Sequence, residues 1–122
     1  MINLKRANGI LLHISSLPGS YGIGEIGPEA FTFVDDLLEM GQTLWQILPD
    51  NPTDEYHCPY SATSAFANNP MLISLDILIR DGWLNLNDVK SYPKTNFEKV
   101  DYPRFEKFKQ DLLTKAAANF EE

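Results

Sequence analysis

The sequence predicts an α/β fold, built around one strand–helix–strand unit near its start. Two short apolar runs, residues 9–14 and 44–48, have the length and composition of strands buried in a parallel sheet. Between them, Pro28 and Gly41 bracket a stretch in which apolar residues recur at helical spacing. This order predicts a right-handed crossover and parallel pairing of the two strands.

Length and composition are those of one small globular domain. The chain has 122 residues, of which 43% are hydrophobic and 22% charged. Its net charge of −7 argues against a nucleic-acid or anionic-membrane surface, because both need clustered lysine and arginine. A single cysteine, Cys58, excludes an intramolecular disulfide, and no apolar run reaches the length of a signal peptide or a membrane span. We therefore expect a cytoplasmic protein.

The first half of the chain reads as a long loop followed by a helix. Residues 15–27 hold four glycines, one proline and three serines, so they form a loop long enough to be functional. The helix that follows begins at Pro28, and Gly41 ends it in the left-handed conformation. Its predicted apolar face consists of Phe31, Val34, Leu37 and Leu38.

The second half reads as a loop followed by short elements and a last helix. Residues 50–70 are mostly loop, with one helical turn over 61–67 and Phe66 in the core. The later elements are a strand over 71–74, a helix over 75–81 capped by Gly82 and a helix over 103–120. The residues expected to pack on the helix over 75–81 are Trp83, Leu84 and Leu86. In the last helix, Phe105 and Leu112 lie on the apolar face, whereas Lys109 is assigned to the polar face.

Two features of the sequence could indicate a cofactor or a metal site, and both interpretations are rejected. Residues 22–27 match G-x-G-x-x-G, but they lie well after the strand and place Glu25 where phosphates would bind, so dinucleotide binding is rejected. His13, at the end of the first strand, has no Cys, Asp or Glu at ligand spacing, so no metal site and no cofactor are expected. Two interpretations of His13 stay open, a group at the mouth of a βα barrel and, slightly favoured, a buried histidine bonded to backbone.

The acidic loop after the second strand is not a convincing catalytic centre. Asp50, Asp54 and Glu55 follow that strand on one proline-rich loop. A glycosidase holds two carboxyl groups about 5–10 Å apart across the scissile bond, and a single loop offers no second rigid strand for this. Solvated loop charges are the better interpretation. A nucleophile pair of His57 with Cys58, in an unrelated α/β enzyme, is remote because sequence neighbours rarely face each other.

The residues after this acidic loop have the composition of a sugar-binding surface. An aromatic ring can pack against the C–H groups of a sugar, while hydroxyls and amides bind its OH groups. The residues that supply such groups are Tyr60, Ser61, Thr63, Ser64 and Asn68. Taken by itself, this set is a plausible but unspecific indication.

Three sequence blocks resemble one known family. They are GILLH-x-SSLPG-x-YGIG over residues 9–24, LWQ-x-LP over residues 44–49 and CPY-x-x-x-SAFANNP over residues 58–70. Together they resemble the start of the amylomaltases, the 4-alpha-glucanotransferases of glycoside hydrolase family 77. The similarity covers roughly residues 5–84, with a weaker continuation into the last helix.

The resemblance implies the first βα units of a (β/α)8 TIM barrel over residues 1–84 and the start of an inserted helical subdomain over residues 85–122. A complete barrel needs about 250 residues, so the rest is expected from a longer chain. The family transfers α-1,4-glucan segments between maltooligosaccharides with an Asp nucleophile, a Glu acid/base and a second Asp, all on later strands. No residue here matches those motifs, so this chain is expected to hold no catalytic residue and to be inactive alone.

The resemblance also implies a substrate-binding loop. Tyr60 matches the family tyrosine that lies against bound sugar, Cys58 stands where the family has serine, and Ser64 adds a hydroxyl. The family pattern Leu-Pro-Leu-Gly-Pro-Thr, a glycine-rich turn and Asp-Ser-Pro-Tyr-Gln has lost two glycines here, and a thiol is a poorer hydrogen-bond partner than a hydroxyl. The alternative to the enzyme is a stand-alone glucan-binding or interaction module derived from it.

Overall fold

The computed structural model describes residues 6–92 and 99–121. Predictions for residues 1–5, 93–98 and Glu122 lie outside these ranges. The described chain is a mixed α/β structure, as predicted. Its elements, in chain order, are β1 (Gly9–Leu11), a 3-10 helix (Ile14–Ser16), α1 (Pro28–Glu39), β2 (Leu44–Gln46), a second 3-10 helix (Pro70–Leu72), α2 (Leu75–Arg80), α3 (Leu86–Val89) and α4 (Tyr102–Glu121).

The predicted parallel pairing of the first two strands is confirmed. β1 and β2 form a two-stranded parallel sheet in which Gly9 lies opposite Leu44. A Cβ on Gly9 would lie 2.4 Å from the carbonyl oxygen of Leu44, so only glycine allows this approach. The Trp45 indole donates a hydrogen bond to the Leu12 carbonyl at 2.8 Å, which fixes the end of β1. Both strands are shorter than the apolar runs that predicted them.

The helix α1 has the predicted ends. Pro28 occupies its first turn, and the Phe31 amide donates to the Gly27 carbonyl at 3.1 Å. At the other end Gly41 has a φ of +70° and its amide donates to the Leu38 carbonyl at 3.0 Å. A side chain at Gly41 would meet nothing within 4 Å, so this position requires glycine for its backbone conformation alone.

The prediction that the strands and the α1 face are buried is wrong for the described residues. Ile10 and Leu11 of β1 are 39% and 56% exposed, and Leu44 of β2 is 49% exposed. On α1 only Leu37 of the predicted apolar face is buried, whereas Phe31, Val34 and Leu38 are exposed. Within residues 6–92 and 99–121 these side chains keep much of their surface open to solvent, and a two-stranded sheet also leaves its two outer edges unpaired.

Two predicted elements between residues 61 and 74 do not form. The helical turn over 61–67 is replaced by a bend in which the Ser64 hydroxyl accepts hydrogen bonds from the Phe66 and Ala67 amides. Phe66, predicted to be core, is 97% exposed. The predicted strand over 71–74 is the 3-10 helix capped by Asn69, and its remaining strand character is one parallel bridge between Ile73 and Ile26.

The core lies between the 15–27 loop, α2, α3 and α4. Its buried members are Tyr21, Ile23, Leu75, Leu84, Val89, Tyr92, Phe105, Leu112 and Ala116. Residues from both sides of position 84 contribute to it. Leu84 packs as predicted and Trp83 borders the cluster, but Leu86 is 66% exposed because it opens α3 on the outer side.

Lys109 contradicts the face assigned to it. It is fully buried, since it lies four residues after Phe105 and three before Leu112 on the inner side of α4. Its ammonium donates hydrogen bonds to the Glu25 carboxylate and the Ile73 carbonyl. The other Glu25 oxygen accepts from the Leu75 amide at 3.0 Å, an otherwise unpaired donor at the start of α2. This pair therefore joins the 15–27 loop, α2 and α4.

Candidate functional site

Tyr60 lies at the tip of a β-turn. The Ser61 amide donates to the Cys58 carbonyl at 3.0 Å, and Pro59 takes the second turn position, where its fixed φ suits the backbone. Tyr60 follows it with a 73% exposed side chain. The turn therefore presents the aromatic ring to solvent, which is the geometry a sugar-stacking residue needs.

The segment that carries this turn is held at its base. Thr53 and Ala62 form an antiparallel bridge, and the Asp54 amide donates to the Ser61 carbonyl at 3.0 Å. One step outward, the Thr63 amide donates to the Pro52 carbonyl at 2.8 Å. The first part of the stretch predicted to be mostly loop is thus a hairpin-like loop over residues 52–63.

His57 connects the hairpin-like loop to α4. A first turn ends at this residue, with its amide donating to the Asp54 carbonyl at 3.1 Å, and its φ is +56°. The imidazole stacks on the Tyr102 ring with 3.7 Å between centroids and 7° between planes. Its Nδ1 lies 3.3 Å from Oε1 of Glu106. These contacts engage His57 with α4, and they give no support to its pairing with Cys58 as a nucleophile.

A cavity of about 410 Å³ lies between the end of β1, the hairpin-like loop and α4. Apolar groups from Ile23, Leu48 and Met71 form part of its wall. Its polar lining comes from His13, Ser15, Ser16, Thr53, Asn69, His57 and Glu106. Hydroxyl, amide, imidazole and carboxylate groups on a partly apolar wall can bind a neutral polyhydroxyl ligand.

His13 lies in this cavity wall, and the favoured interpretation of it is wrong. Its Nδ1 is buried and has no hydrogen-bond partner among the described residues, so the expected backbone bond is not made. Burial lowers the pKa of the imidazole below its ordinary value, and the charge of Asp50 opposes that shift. The imidazole therefore faces the cavity just beyond the carboxyl end of β1.

The three residues predicted to bind substrate lie in different environments. None of Tyr60, Cys58 and Ser64 lines the cavity beside His13. Cys58 is a free, half-buried thiol at the first position of the Tyr60 turn. The Ser64 oxygen already accepts two backbone hydrogen bonds. Only Tyr60 thus presents its side chain openly.

Sequence reasoning missed the contribution of α4 to this region. Tyr102 and Glu106 line the cavity and hold His57, although they are more than forty residues further along the chain. The contact of Glu106 with His57 depends on how α4 packs. No spacing in the sequence gives that information.

Two further findings concern the described residues alone. Within residues 6–92 and 99–121, no three His, Cys, Asp or Glu side chains are grouped so as to hold a metal ion. In the same ranges, no helix combines the length and the apolar character that a membrane span requires. Of the loop carboxylates considered as catalytic, Asp54 accepts the Tyr56 amide and so serves its own turn.

Comparison with known proteins gives one consistent result. The family model described as 4-alpha-glucanotransferase matches residues 12–122. The 4-alpha-glucanotransferase of Streptococcus pneumoniae is 44% identical over 117 residues, which are 95% of this chain and 23% of that protein. The chloroplastic/amyloplastic 4-alpha-glucanotransferase of Solanum tuberosum is 43% identical over 119 residues, 94% of this chain and 20% of that protein.

A solved structure agrees with these relatives. The amylomaltase of Streptococcus agalactiae in complex with acarbose has a TM-score of 0.89 and 43% sequence identity, over 95% of this chain and 24% of that one. The chain therefore spans about a quarter or less of the length of the proteins it matches. Since the family model covers all but the first residues, the chain belongs to the 4-alpha-glucanotransferases of glycoside hydrolase family 77.

Proposed function

We propose that this chain is the N-terminal part of a 4-alpha-glucanotransferase that transfers α-1,4-glucan segments between maltooligosaccharides. The observation that carries the proposal is the 44% identity to such an enzyme over 95% of the chain. The solved relative with acarbose supports a glucan as substrate. The catalytic acids are proposed to lie on a longer polypeptide, because no residue of this chain matches them.

The exposed apolar surfaces support an incomplete TIM barrel. Ile10 and Leu44 on the sheet, and Leu38 on α1, are large side chains that a completed barrel would bury. Barrel strands pair on both edges and carry helices outside, which is the covering these residues need. We place the barrel portion at residues 1–84 and the start of an inserted helical subdomain at residues 85–122, with a shared core at their junction.

Tyr60 is the proposed sugar-stacking residue. Its open position on a braced turn supports this role. Cys58 and Ser64 are proposed as weaker contributors, since the thiol is a poor hydrogen-bond partner and the Ser64 hydroxyl keeps only its proton free to donate. A cytoplasmic location and the lack of a cofactor belong to the same proposal. So does the lack of a nucleic-acid or membrane partner, which the net charge of −7 supports.

The test is the kinetics of maltotriose disproportionation by the product of the complete gene. Tyr60→Ala removes the stacking face and is expected to raise KM for maltotriose about 5- to 150-fold, which corresponds to one lost aromatic contact of about 1–3 kcal/mol. Tyr56→Ala is the matched control, because Tyr56 lies in the same loop and is 79% exposed. Equal KM values for the two variants would reject Tyr60 as a substrate contact.

The alternative, a stand-alone glucan-binding module, draws support from the continuous core that the described residues already share. It predicts that the 122-residue chain unfolds cooperatively and binds maltooligosaccharides saturably. Loss of that binding in Tyr60→Ala would favour it, and aggregation of the chain without sugar binding would reject it.

A further inference from the structure

We propose that His57 is a positioning residue that holds the Tyr60 turn against α4. The inference rests on the proposed function for its sugar-binding consequence, because Tyr60 is the contact that His57 would place. The structural part, a brace between the hairpin-like loop and α4, stands on the geometry of His57, Tyr102 and Glu106 alone.

His57 lies at the junction of two turns. The first turn closes on its own amide, which bonds to the Asp54 carbonyl. The second turn opens with Cys58 and closes at Ser61, with Tyr60 at its third position. Pro59 restricts the backbone between them. Because few free torsions separate His57 from Tyr60, fixing the His57 ring also restricts where the Tyr60 ring points.

The brace connects His57 to a well-anchored surface. Tyr102 and Glu106 are four residues apart on α4, so they lie on the same side of that helix. Tyr102 also packs against the core cluster, and the next turn of the helix carries the fully buried Phe105. The side chain of His57 is 21% exposed in this position, whereas Tyr60, taken as a whole residue, is 73% exposed. One ring is therefore held while the other is presented.

The backbone of His57 has an uncommon conformation that the contact with α4 stabilises. Its φ of +56° is in the left-handed region, which a residue with a Cβ rarely adopts. His57 is the single non-glycine residue with positive φ in the part of the chain that the structure describes. The parallel stack on Tyr102 and the contact with Glu106 stabilise this conformation. Without these two contacts the left-handed conformation of His57 is less stable.

The brace is tested by hydrogen exchange of the complete gene product. His57→Asn tolerates the left-handed backbone but removes the stack, and Tyr102→Leu removes the partner ring. Both are expected to speed exchange of the Asp54 and Ser61 amides about 2- to 10-fold, the range that one aromatic pair supports. Tyr102→Phe keeps the ring and is expected to stay near the original rate.

The same measurement contains its controls. Tyr56→Ala leaves the stack intact and is expected to leave the Ser61 amide unaffected. Amides of α1, which is remote from the brace, report whether a variant has lost its overall fold. Unchanged exchange at Asp54 and Ser61 in His57→Asn, with α1 protected, would overturn the brace.

The positioning role is tested by a double-mutant cycle on the complete gene product with maltotriose. His57→Asn is expected to raise KM and leave kcat unchanged, and to have no further effect once Tyr60→Ala is present. Tyr102→Leu should raise KM, and Tyr102→Phe should keep it near the original value. Additive effects of His57→Asn and Tyr60→Ala would overturn positioning through Tyr60. If Tyr60→Ala itself leaves KM unchanged, the proposed substrate contact fails, while the exchange rates still decide the brace.

Discussion

At the scale of single residues, the main feature is the buried ion pair of Glu25 and Lys109. Burial raises the pKa of the Glu25 carboxyl and lowers the pKa of the Lys109 ammonium, and the charge of each partner opposes the shift of the other. The pair also receives backbone partners from Ile73 and Leu75. These extra bonds are what a buried ion pair needs to be tolerated.

Removing one member of this pair is expected to be costly. Lys109→Met leaves the Glu25 carboxylate buried without its partner and should lower the free energy of unfolding by about 3–5 kcal/mol. The double variant Glu25→Gln/Lys109→Met keeps an acceptor for the Leu75 amide and should lose less than the single one. Urea denaturation of the three proteins measures this. A double variant less stable than Lys109→Met would contradict the account.

His13 predicts a pH dependence of stability. Its pKa is lowered from the ordinary 6.5 by burial. Stability rises with pH wherever the unfolded chain binds more protons than the folded one. Unfolded His13 binds a proton as pH falls through 6.5, and folded His13 does so only at lower pH. Its contribution is thus complete above pH 6.5 and is lost as pH falls through the folded pKa.

The measurement compares His13→Asn with the original chain. Between about pH 7.5 and about pH 5.5, on either side of the ordinary histidine pKa, the original chain should lose more free energy of unfolding than the variant. Carboxyl groups other than Asp50, whose charge acts on His13, contribute equally to both proteins, so the difference reports on His13 and its interaction with Asp50. Identical pH profiles would show that its burial has no such effect.

Individual side chains were the least predictable level from sequence. Lys109 is charged and was assigned to a solvated face, although its spacing from Phe105 and Leu112 indicates the inner side. Phe66 is apolar and was assigned to the core, but it is 97% exposed. Both predictions of burial rest on residue type alone. The burial of Lys109 is decided by its position on the helix, and the exposure of Phe66 by its tertiary surroundings. Glu25, the partner of Lys109, lies 84 residues away in sequence.

At the scale of elements, caps and parallel pairing could be read from the sequence. Pro28 and Gly41 mark the ends of α1 closely, because proline has the φ of a first helical turn and glycine adopts the left-handed conformation that ends a helix. The helical turn and the strand predicted between residues 61 and 74 are wrong, because side chains there bond to the backbone. There Ser64 and Asn69 bond to nearby amides, and these local bonds outcompete the helix and strand that the apolar residues suggested.

The cap at Gly41 gives a prediction for the element α1. Its φ of +70° is strained for any residue with a Cβ, and no neighbouring atom would clash with one. Gly41→Ala is therefore expected to lower the free energy of unfolding by about 1–2 kcal/mol. Gly41→Asn should lose less, because asparagine tolerates the left-handed region. Equal stability of Gly41→Ala and the original chain in thermal unfolding would contradict the assigned cap.

At the scale of the whole molecule, the exposed apolar surface is the main feature. Phe31, Val34 and Leu38 on α1 are joined by exposed residues of the two-stranded sheet. Patches of this kind mark interaction surfaces or aggregation sites. The candidate substrate site is also incomplete. Tyr60 lies on one loop of this chain, and the proposed catalytic acids lie on the rest of a longer polypeptide. Family motifs predicted this division, and composition alone could not.

The same surface predicts association of the isolated chain. The 122-residue chain should form concentration-dependent oligomers in sedimentation experiments, because uncovered apolar area is buried by contact. Leu38→Lys, at a position 74% exposed, should reduce the oligomers and leave the free energy of unfolding within about 0.5 kcal/mol. A strictly monomeric chain at all concentrations would show that this surface needs no cover.

The central claim, that this chain is the N-terminal part of a longer glucanotransferase, is tested most directly by reading the gene beyond codon 122. The account predicts an open reading frame that continues into further strand-like segments and supplies an aspartate, a glutamate and a second aspartate at strand ends. A stop codon directly after Glu122 would contradict it, and the stand-alone glucan-binding module would then be the function to test.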